Sequence, residues 1–382
     1  MKWQTVAWGG LGLIALFAAG FGGWIVTLPP APVQRAMPPI AREEADATLA
    51  ALKPRKRQRP LIAIVGINEQ SETTDYLMPY GILKRADVAD VMTLATKPGP
   101  VTLFPVLTVE PDATIAAFDA KHPDGADYVI VPAMSRDDDP DVLQWIKSQS
   151  AKGAIIVGVC VGAKVVASTG LLDGRRATTH WYSLSAMRKE HPAIRYVADR
   201  RMVVDRGVAT TTGISASMPM SLTLIEAIAG RERAEAVARD IGLATWDARH
   251  DSSAFRFTRP FALTAIGNTL VPNKDELGIA ISPGVDEVSL ALVADAWSRT
   301  YRSRAVTFAV STSAQQTRYG VRILPERTAA TWPAERILPD IGDQPPARAL
   351  DNALQGIEQR YGSRTADFVA MQLEYARRTA AR

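Results

Sequence analysis

The chain holds a single cysteine, Cys160, and its neighbours are those of a reactive one. Ile155, Ile156, Val157 and Val159 form a short, largely β-branched run, as expected of a strand buried on both faces. Gly158-Val-Cys160-Val-Gly162 follows, and then a helical pattern with Val165, Val166 and Ala167 on one apolar face. A nucleophile between two glycines, at a strand-to-helix turn, is the nucleophile-elbow arrangement. The turn is so tight that a Cβ at the glycines would strike neighbouring backbone. It lifts the side chain above the sheet to a helix N-terminus, where the dipole and unpaired N–H groups favour a thiolate. The plainer alternative is a buried cysteine beside two packing glycines.

The elements around the elbow read as strands alternating with helices. Leu61 to Gly66 is a buried strand, and Ser71 to Arg85 is a helix with Asp75 near its start and Pro79 inside it. Val88 to Thr96, Val101 to Thr108 and Ala126 to Pro132 are strand-like, and Pro140 to Lys152 is an amphipathic helix. Arg176 to Trp181 leads to a short helix at Ser183 to Lys189. Met202 to Asp205 and Val208 to Thr211 suggest a hairpin turning at Arg206-Gly207. Helices at Ser217 to Ala229 and Arg231 to Leu243 complete the module. This order predicts an α/β sandwich, flavodoxin-like, with a mainly parallel sheet. Its site should lie beyond the carboxyl ends of the strands, where Cys160 falls.

These residues carry a resemblance. The module is similar to the ThiJ/PfpI branch of the class I glutamine amidotransferase-like superfamily, nearest to isonitrile hydratase and to the sensing domains of AraC-type regulators. Four segments carry it: Gly158 to Leu172; Gly170-Leu-Leu-Asp-Gly-Arg-Arg-Ala-Thr-Thr-His-Trp181; Thr211-Thr-Gly-Ile-Ser-Ala216 ahead of a helix; and Asp75 four residues before Pro79. The resemblance implies that Cys160 is the nucleophile, that Asp75 is a carboxyl hydrogen-bonded to its sulfur, and that His180 lies near the pocket. Gly158, Val161, Gly162 and Gly213 would shape that pocket. Read without it, Asp75 fits equally a helix N-terminal charge and His180 a satisfied strand-end histidine. Crowding against a thiolate would raise the Asp75 pKa. Active relatives often hold His or Thr where Val161 stands, and no histidine–glutamate pair closes the module, so a glutaminase triad is not expected.

Composition sets further bounds. Net charge is +4 with a pI near 9.1, and Lys53-Pro-Arg-Lys-Arg-Gln-Arg59 carries the excess, so a nucleic-acid-binding surface is not indicated. One cysteine excludes an intrachain disulfide and cysteine-rich metal sites. His122, His180, His191 and His250 lack ligand spacing, so neither metal nor cofactor is expected. Val6 to Leu28 is an uncharged, mostly apolar run, long enough at ~1.5 Å per residue to cross a bilayer. Residues 1–28 are therefore expected as an uncleaved membrane anchor, with a cleaved signal peptide as the rival. Lys2 before the run, and Arg35, Arg42 and the basic run after it, lean toward a cytoplasmic globular part. Residues 29–60 read as a Pro-rich and basic tether whose cations touch anionic lipid or stay solvated.

Residues 61–257 form the ThiJ/PfpI-like domain, 258–276 a linker, and 277–382 a partial, degenerate repeat of the same fold. Leu277 to Ser282, Val285 to Thr300 and Ala305 to Val310 repeat the opening strand–helix–strand order, and Gly320 to Pro325 parallels Leu103 to Thr108. Ile357 to Tyr375 aligns without gaps on Ile225 to Leu243, with Gly362 on Gly230. The repeat lacks the elbow, so it should pack on the first module or on a neighbouring chain, as partner modules do in dimers of the superfamily; an unrelated α/β appendage is the alternative. The expected function is a membrane-anchored sensor of a small molecule or oxidant. The alternative is a cysteine-dependent hydratase or lyase acting on a small carbon electrophile. The expected partners are a small-molecule ligand, the membrane and a second copy in a homodimer, with no direct nucleic-acid contact.

Overall fold

The computed structural model describes residues 20, 22–342 and 344–377. After a first helix, α1 (Arg42–Leu52), the strands β1 (Leu61–Gly66), β3 (Asp90–Ala95), β6 (Ala113–Thr114), β7 (Tyr128–Val131), β8 (Ile155–Gly158), β11 (Met202–Asp205) and β12 (Val208–Thr211) form one sheet. Its order is β11-β12-β8-β7-β1-β3-β6, parallel throughout except at the β11–β12 edge. Both faces of β1 are covered, which is why it is continuously apolar. Alternation sends Ile62 and Ile64 toward α2 (Thr73–Ala86) and α7 (Ser217–Ala229). It sends Leu61, Ala63 and Val65 toward α4 (Pro140–Ala151) and α5 (Gly162–Ser168). The architecture is the expected flavodoxin-like α/β sandwich.

The C-terminal half lies on the α2–α7 side. It comprises α9 (Arg259–Thr269), β13 (Asp275–Ala280), α10 (Glu287–Ser298), β14 (Ser303–Ala309), β16 (Arg322–Leu324), β17 (Arg327–Thr328), α11 (Pro346–Tyr361) and α12 (Ser363–Gln372). β13, β14 and β17 make a small parallel sheet. Helix α10 packs against both α2 and α11. β16 adds antiparallel to β5 (Thr108–Glu110), pairing Ile323 with Val109, so one sheet takes strands from both halves. Several elements of the two halves are separated by one interval. β1 begins at 61 and β13 at 275; the N-caps of α2 and α10 are Glu72 and Asp286; β5 and β16 begin at 108 and 322; β6 and β17 begin at 113 and 327. Gly230 joins α7 to α8 (Arg231–Asp240) at φ 87°, ψ 170°, and Gly362 joins α11 to α12 at φ 89°, ψ 161°.

Several expectations need correction. Among the described residues no helix is long and apolar enough to cross a membrane, which overturns the single-pass anchor and the cytoplasmic placement drawn from it. Residues 1–19 and 21 of the apolar run lie outside the described residues. Its described end packs on protein: Ile25 is buried, Trp24 lies 6.0 Å from Phe257, and Arg259 donates to the carbonyls of Val26 and Leu28. The basic run is also tied down. Lys56 donates to the Asp124 carbonyl, Arg57 pairs with Asp127 at 2.7 Å, and Arg59 pairs with Asp87 and Asp90. The stretch from Val101 to Thr108 is two antiparallel strands, β4 (Val101–Phe104) and β5, turning at Pro105. The helix expected from Ser71 starts at Thr73, because Glu72 caps it and Glu69–Glu72 forms a strand, β2. Residues 258–276 contain α9, which is packed against α12.

Candidate active site

Cys160 follows the end of β8 with φ 56°, a left-handed conformation that a non-glycine residue adopts only under local constraint. The constraint is visible on both sides. The Cys160 N–H donates to Thr211 Oγ1 at 3.1 Å, and the Cys160 carbonyl accepts from Thr179 Oγ1 at 3.1 Å. A Cβ at Gly162 would lie 2.0 Å from the Val131 carbonyl oxygen, and one at Gly158 would lie 2.8 Å from Ala163 Cα. Both glycines are thus required by close backbone approach. The thiol is 4% exposed. Burial pushes its pKa well up, and the nearby carboxylates of Asp75, Glu72 and Glu374 push it further. The short helix behind it does not outweigh burial and these charges, so the expected thiolate is a neutral thiol.

Two carboxyl groups start α2. Glu72 accepts from the Asp75 N–H at 2.6 Å and from Thr74 Oγ1 at 2.8 Å, which makes it the helix cap. Asp75 is fully buried behind it; its Oδ2 accepts from the Ala133 N–H at 3.1 Å and its Oδ1 has no partner among the described residues, so the expected hydrogen bond to the Cys160 sulfur is not made. Burial, then the Glu72 charge, raise the Asp75 pKa well above the carboxylate range. Burial, with Asp295 adding to it, pushes Glu72 up to about 7. From the C-terminal half, Arg299 donates to Glu72 Oε1 at 2.7 Å and to both carboxylate oxygens of Asp295 at 2.8 and 2.9 Å.

His180 is present at the site with both ring nitrogens engaged. Nδ1 accepts from the Tyr182 N–H at 3.2 Å, which assigns the proton to Nε2, 3.0 Å from the Gln372 carbonyl. Burial lowers its pKa and keeps the ring neutral. Glu374 accepts from the N–H groups of Trp181 and Gly213, and His250 Nε2 lies 3.7 Å away. A Cβ at Gly213 would lie 2.6 Å from the Glu374 carboxylate and 2.7 Å from the His180 ring.

A cavity of about 580 Å³ opens over the thiol. Cys160, Val161 and His180 line it, with Gln70, Glu72, Ser135, Ser298, Arg299 and Gln372 among its other polar groups. Its wall is aromatic: Phe104, Trp181, Tyr182, Phe257, Phe261 and Tyr301. Phe261 meets Trp181 edge-on at 5.5 Å. The structure therefore brings Cys160 and His180 to one cavity and sets Asp75 in the buried layer behind it. Glu72, Arg299 and the aromatic wall were not anticipated. Arg299 had a legible signal, since it stands as far beyond the Asp286 cap of its helix as Arg85 stands beyond the Glu72 cap of α2.

The DJ-1/PfpI family model matches residues 62–227. Isonitrile hydratase of Pseudomonas putida is 30% identical over 173 residues, covering 44% of this chain and 72% of that protein. The HTH-type transcriptional regulator CdhR of Pseudomonas aeruginosa is 32% identical over 112 residues, covering 29% of this chain and 33% of the regulator. The chain thus spans a third of that regulator's length. The crystal structure of Drosophila melanogaster DJ-1beta is 21% identical with a TM-score of 0.44, covering 49% of this chain and all of that one. The matched residues run from β1 through the elbow into α7, and the hydratase is covered over most of its length: the chain belongs to the DJ-1/PfpI family.

Proposed function

We propose that the protein is a small-molecule sensor whose ligand occupies the aromatic-walled cavity over Cys160. The supporting observation is the state of the thiol: it is buried and faces three carboxyl-bearing residues. Val161 beside it lines the cavity, and its side chain has no group able to donate or accept a hydrogen bond. Such a site binds apolar or aromatic molecules by burial and reads a few polar atoms through Gln70, Ser135 and Arg299. The HTH-type transcriptional regulator among the relatives agrees with a sensing role.

The same reading takes the C-terminal half as a partial copy of the first, packed where a second subunit would sit. The constant interval between matching elements and the shared geometry of Gly230 and Gly362 support it.

A second reading is favoured by one observation. Asp75 is a buried acid kept protonated beside the thiol. In a hydratase the sulfur would add to an isonitrile carbon while an acid protonates that carbon. Water would then displace the sulfur, which leaves an N-substituted formamide and the thiol.

The pH dependence of Cys160 alkylation separates the two, because the chain has one cysteine. The sensor reading expects a midpoint above the ~8.5 of an ordinary thiol and saturable protection by a bound aromatic ligand. A midpoint well below that, with turnover of a simple isonitrile, would establish the hydratase instead.

A further inference from the structure

The α2–α10 contact is reciprocal. The cap of α2, Glu72, pairs with Arg299 just beyond the end of α10, and the cap of α10, Asp286, pairs with Arg85 in the last turn of α2. The interval from Glu72 to Asp286 is the interval from Arg85 to Arg299. Each pair is thus the image of the other across a local two-fold, as in a contact between like subunits. The two ends differ in what they face. Glu72 and Arg299 line the cavity over Cys160, whereas Arg85 is covered by the Tyr319 ring, 4.6 Å from its guanidinium, and also meets Asp240 at 3.0 Å.

We infer that Arg299, supplied by the C-terminal half, is a positioning residue of the cysteine site: its planar fork holds Glu72 against the start of α2 and sets the charge that Cys160 faces. The inference deepens the proposed function and rests on its cavity being the ligand site.

Geometry supports the role. One guanidinium bridges carboxylates from two helices, Glu72 and Asp295, a task that suits the fixed fork of arginine and not the point charge of lysine. The charged and titratable groups around the thiol are Glu72 and Asp75 from α2, Asp295 and Arg299 from α10, and His180, His250 and Glu374 near the tail. Burial alone would lower the Arg299 pKa, but Asp295 and Glu72 more than offset it, so this cation persists. Its positive charge counters the carboxylates that disfavour a thiolate.

The test compares Arg299→Ala with Arg85→Ala in the full chain, reading the midpoint of iodoacetamide alkylation against pH. Both variants lose one half of a reciprocal pair, so both should melt earlier. Only Arg299→Ala should move the Cys160 midpoint, upward by about one pH unit, the usual effect of losing an opposite charge at short range. A wider entrance changes the plateau rate and not the midpoint. Arg299→Lys should restore most of the midpoint and less of the melting temperature. Should Arg299→Ala fail to fold, Arg299→Gln carries the same expectation, since its amide can still donate to Glu72. Midpoints for the Arg299 variants that coincide with wild type, or an equal shift in Arg85→Ala, would reduce Arg299 to an interface residue. A wild-type midpoint below the ordinary thiol range would instead sink the sensor reading and leave the comparison between variants readable.

Discussion

The start of α2 and the start of α10 are built alike and end in different surroundings. Each is capped by an acidic residue, Glu72 or Asp286, and each cap meets an arginine from the other helix. At α2 the strand β8 and the elbow bring a thiol to the capping carboxylate, and a cavity opens. At α10 the neighbouring Glu287 is buried and takes the Tyr319 N–H at 3.3 Å, while Arg85 packs under the Tyr319 ring. An acid-capped helix over a parallel strand is therefore not itself a site. The elbow adds the thiol and the cavity, and between β17 and α11 the described residues hold no strand or α-helix in place of β7, β8 and α5, only a single parallel bridge from Ile337 to Gly278.

The largest test of this contrast is removal of the C-terminal half at Pro272. Leu290, Leu292, Trp297, Leu354 and Ile357 are all buried in the core shared with α2 and α7. Burying one such side chain is worth ~1.5–3 kcal/mol, against a net stability of ~5–15 kcal/mol for a whole domain. The truncated chain should be insoluble or lose its cooperative melting transition. A soluble fragment with the full-length melting temperature would show that the second half is an appendage and that the matching elements carry no structural duty.

Next in size is the pH dependence of stability. Glu72 titrates at about 7 in the folded chain, against ~4.3 for an unperturbed glutamate. The unfolded chain therefore releases this proton first, and stability falls as pH rises from ~4.3 to ~7, by roughly 4 kcal/mol for this group alone. Asp75, also raised, acts in the same direction. Melting temperature measured from pH 4.5 to 8 should decline across that window, and Glu72→Gln should flatten the decline. Arg85→Ala should keep the slope, because it leaves the Glu72 cluster intact, whereas Arg299→Ala should extend it to higher pH.

The matched glycines refine the comparison further. Gly230 and Gly362 share a positive φ with ψ near 170° and 161°, a region that only glycine enters without strain. Nothing lies within 4 Å of a Cβ at either, so alanine should cost backbone strain alone, ~1–3 kcal/mol, and the same at both positions. Unequal losses by chemical denaturation would mean that the two helix pairs are held differently.

How far the sequence could be read follows from which interactions are local. The elbow was legible because strand, glycines and helix lie within a dozen residues and each is demanded by sterics. The parallel sheet followed from the alternation of apolar runs, and the second half's opening elements from their spacing. Glu72 was missed because a glutamate three residues before Asp75 looks like a solvated helix start; only Arg299, more than two hundred residues later, makes it part of the site. His180 and Glu374 likewise acquire their roles from each other's segments. The apolar N-terminal run misled for a related reason: apolar length has the same appearance whether its partner is lipid or, as for Ile25 and Trp24, another part of the chain.

The smallest effect concerns Val161, which lines the cavity beside the thiol, is partly buried and packs against the core. Threonine has nearly the same shape but brings a hydroxyl, whose desolvation costs ~1–3 kcal/mol unless it finds a partner. If the hydroxyl donates to the sulfur when it ionises, the charged form gains, and the alkylation midpoint of Val161→Thr should fall by up to about one pH unit, while the melting temperature drops slightly. An unchanged midpoint with the same small loss of stability would mean that the hydroxyl turns away from the sulfur. Single-residue activation of the elbow would then be closed, and the neutrality of Cys160 would rest on its burial, with Asp75, Glu72 and Glu374 adding to it.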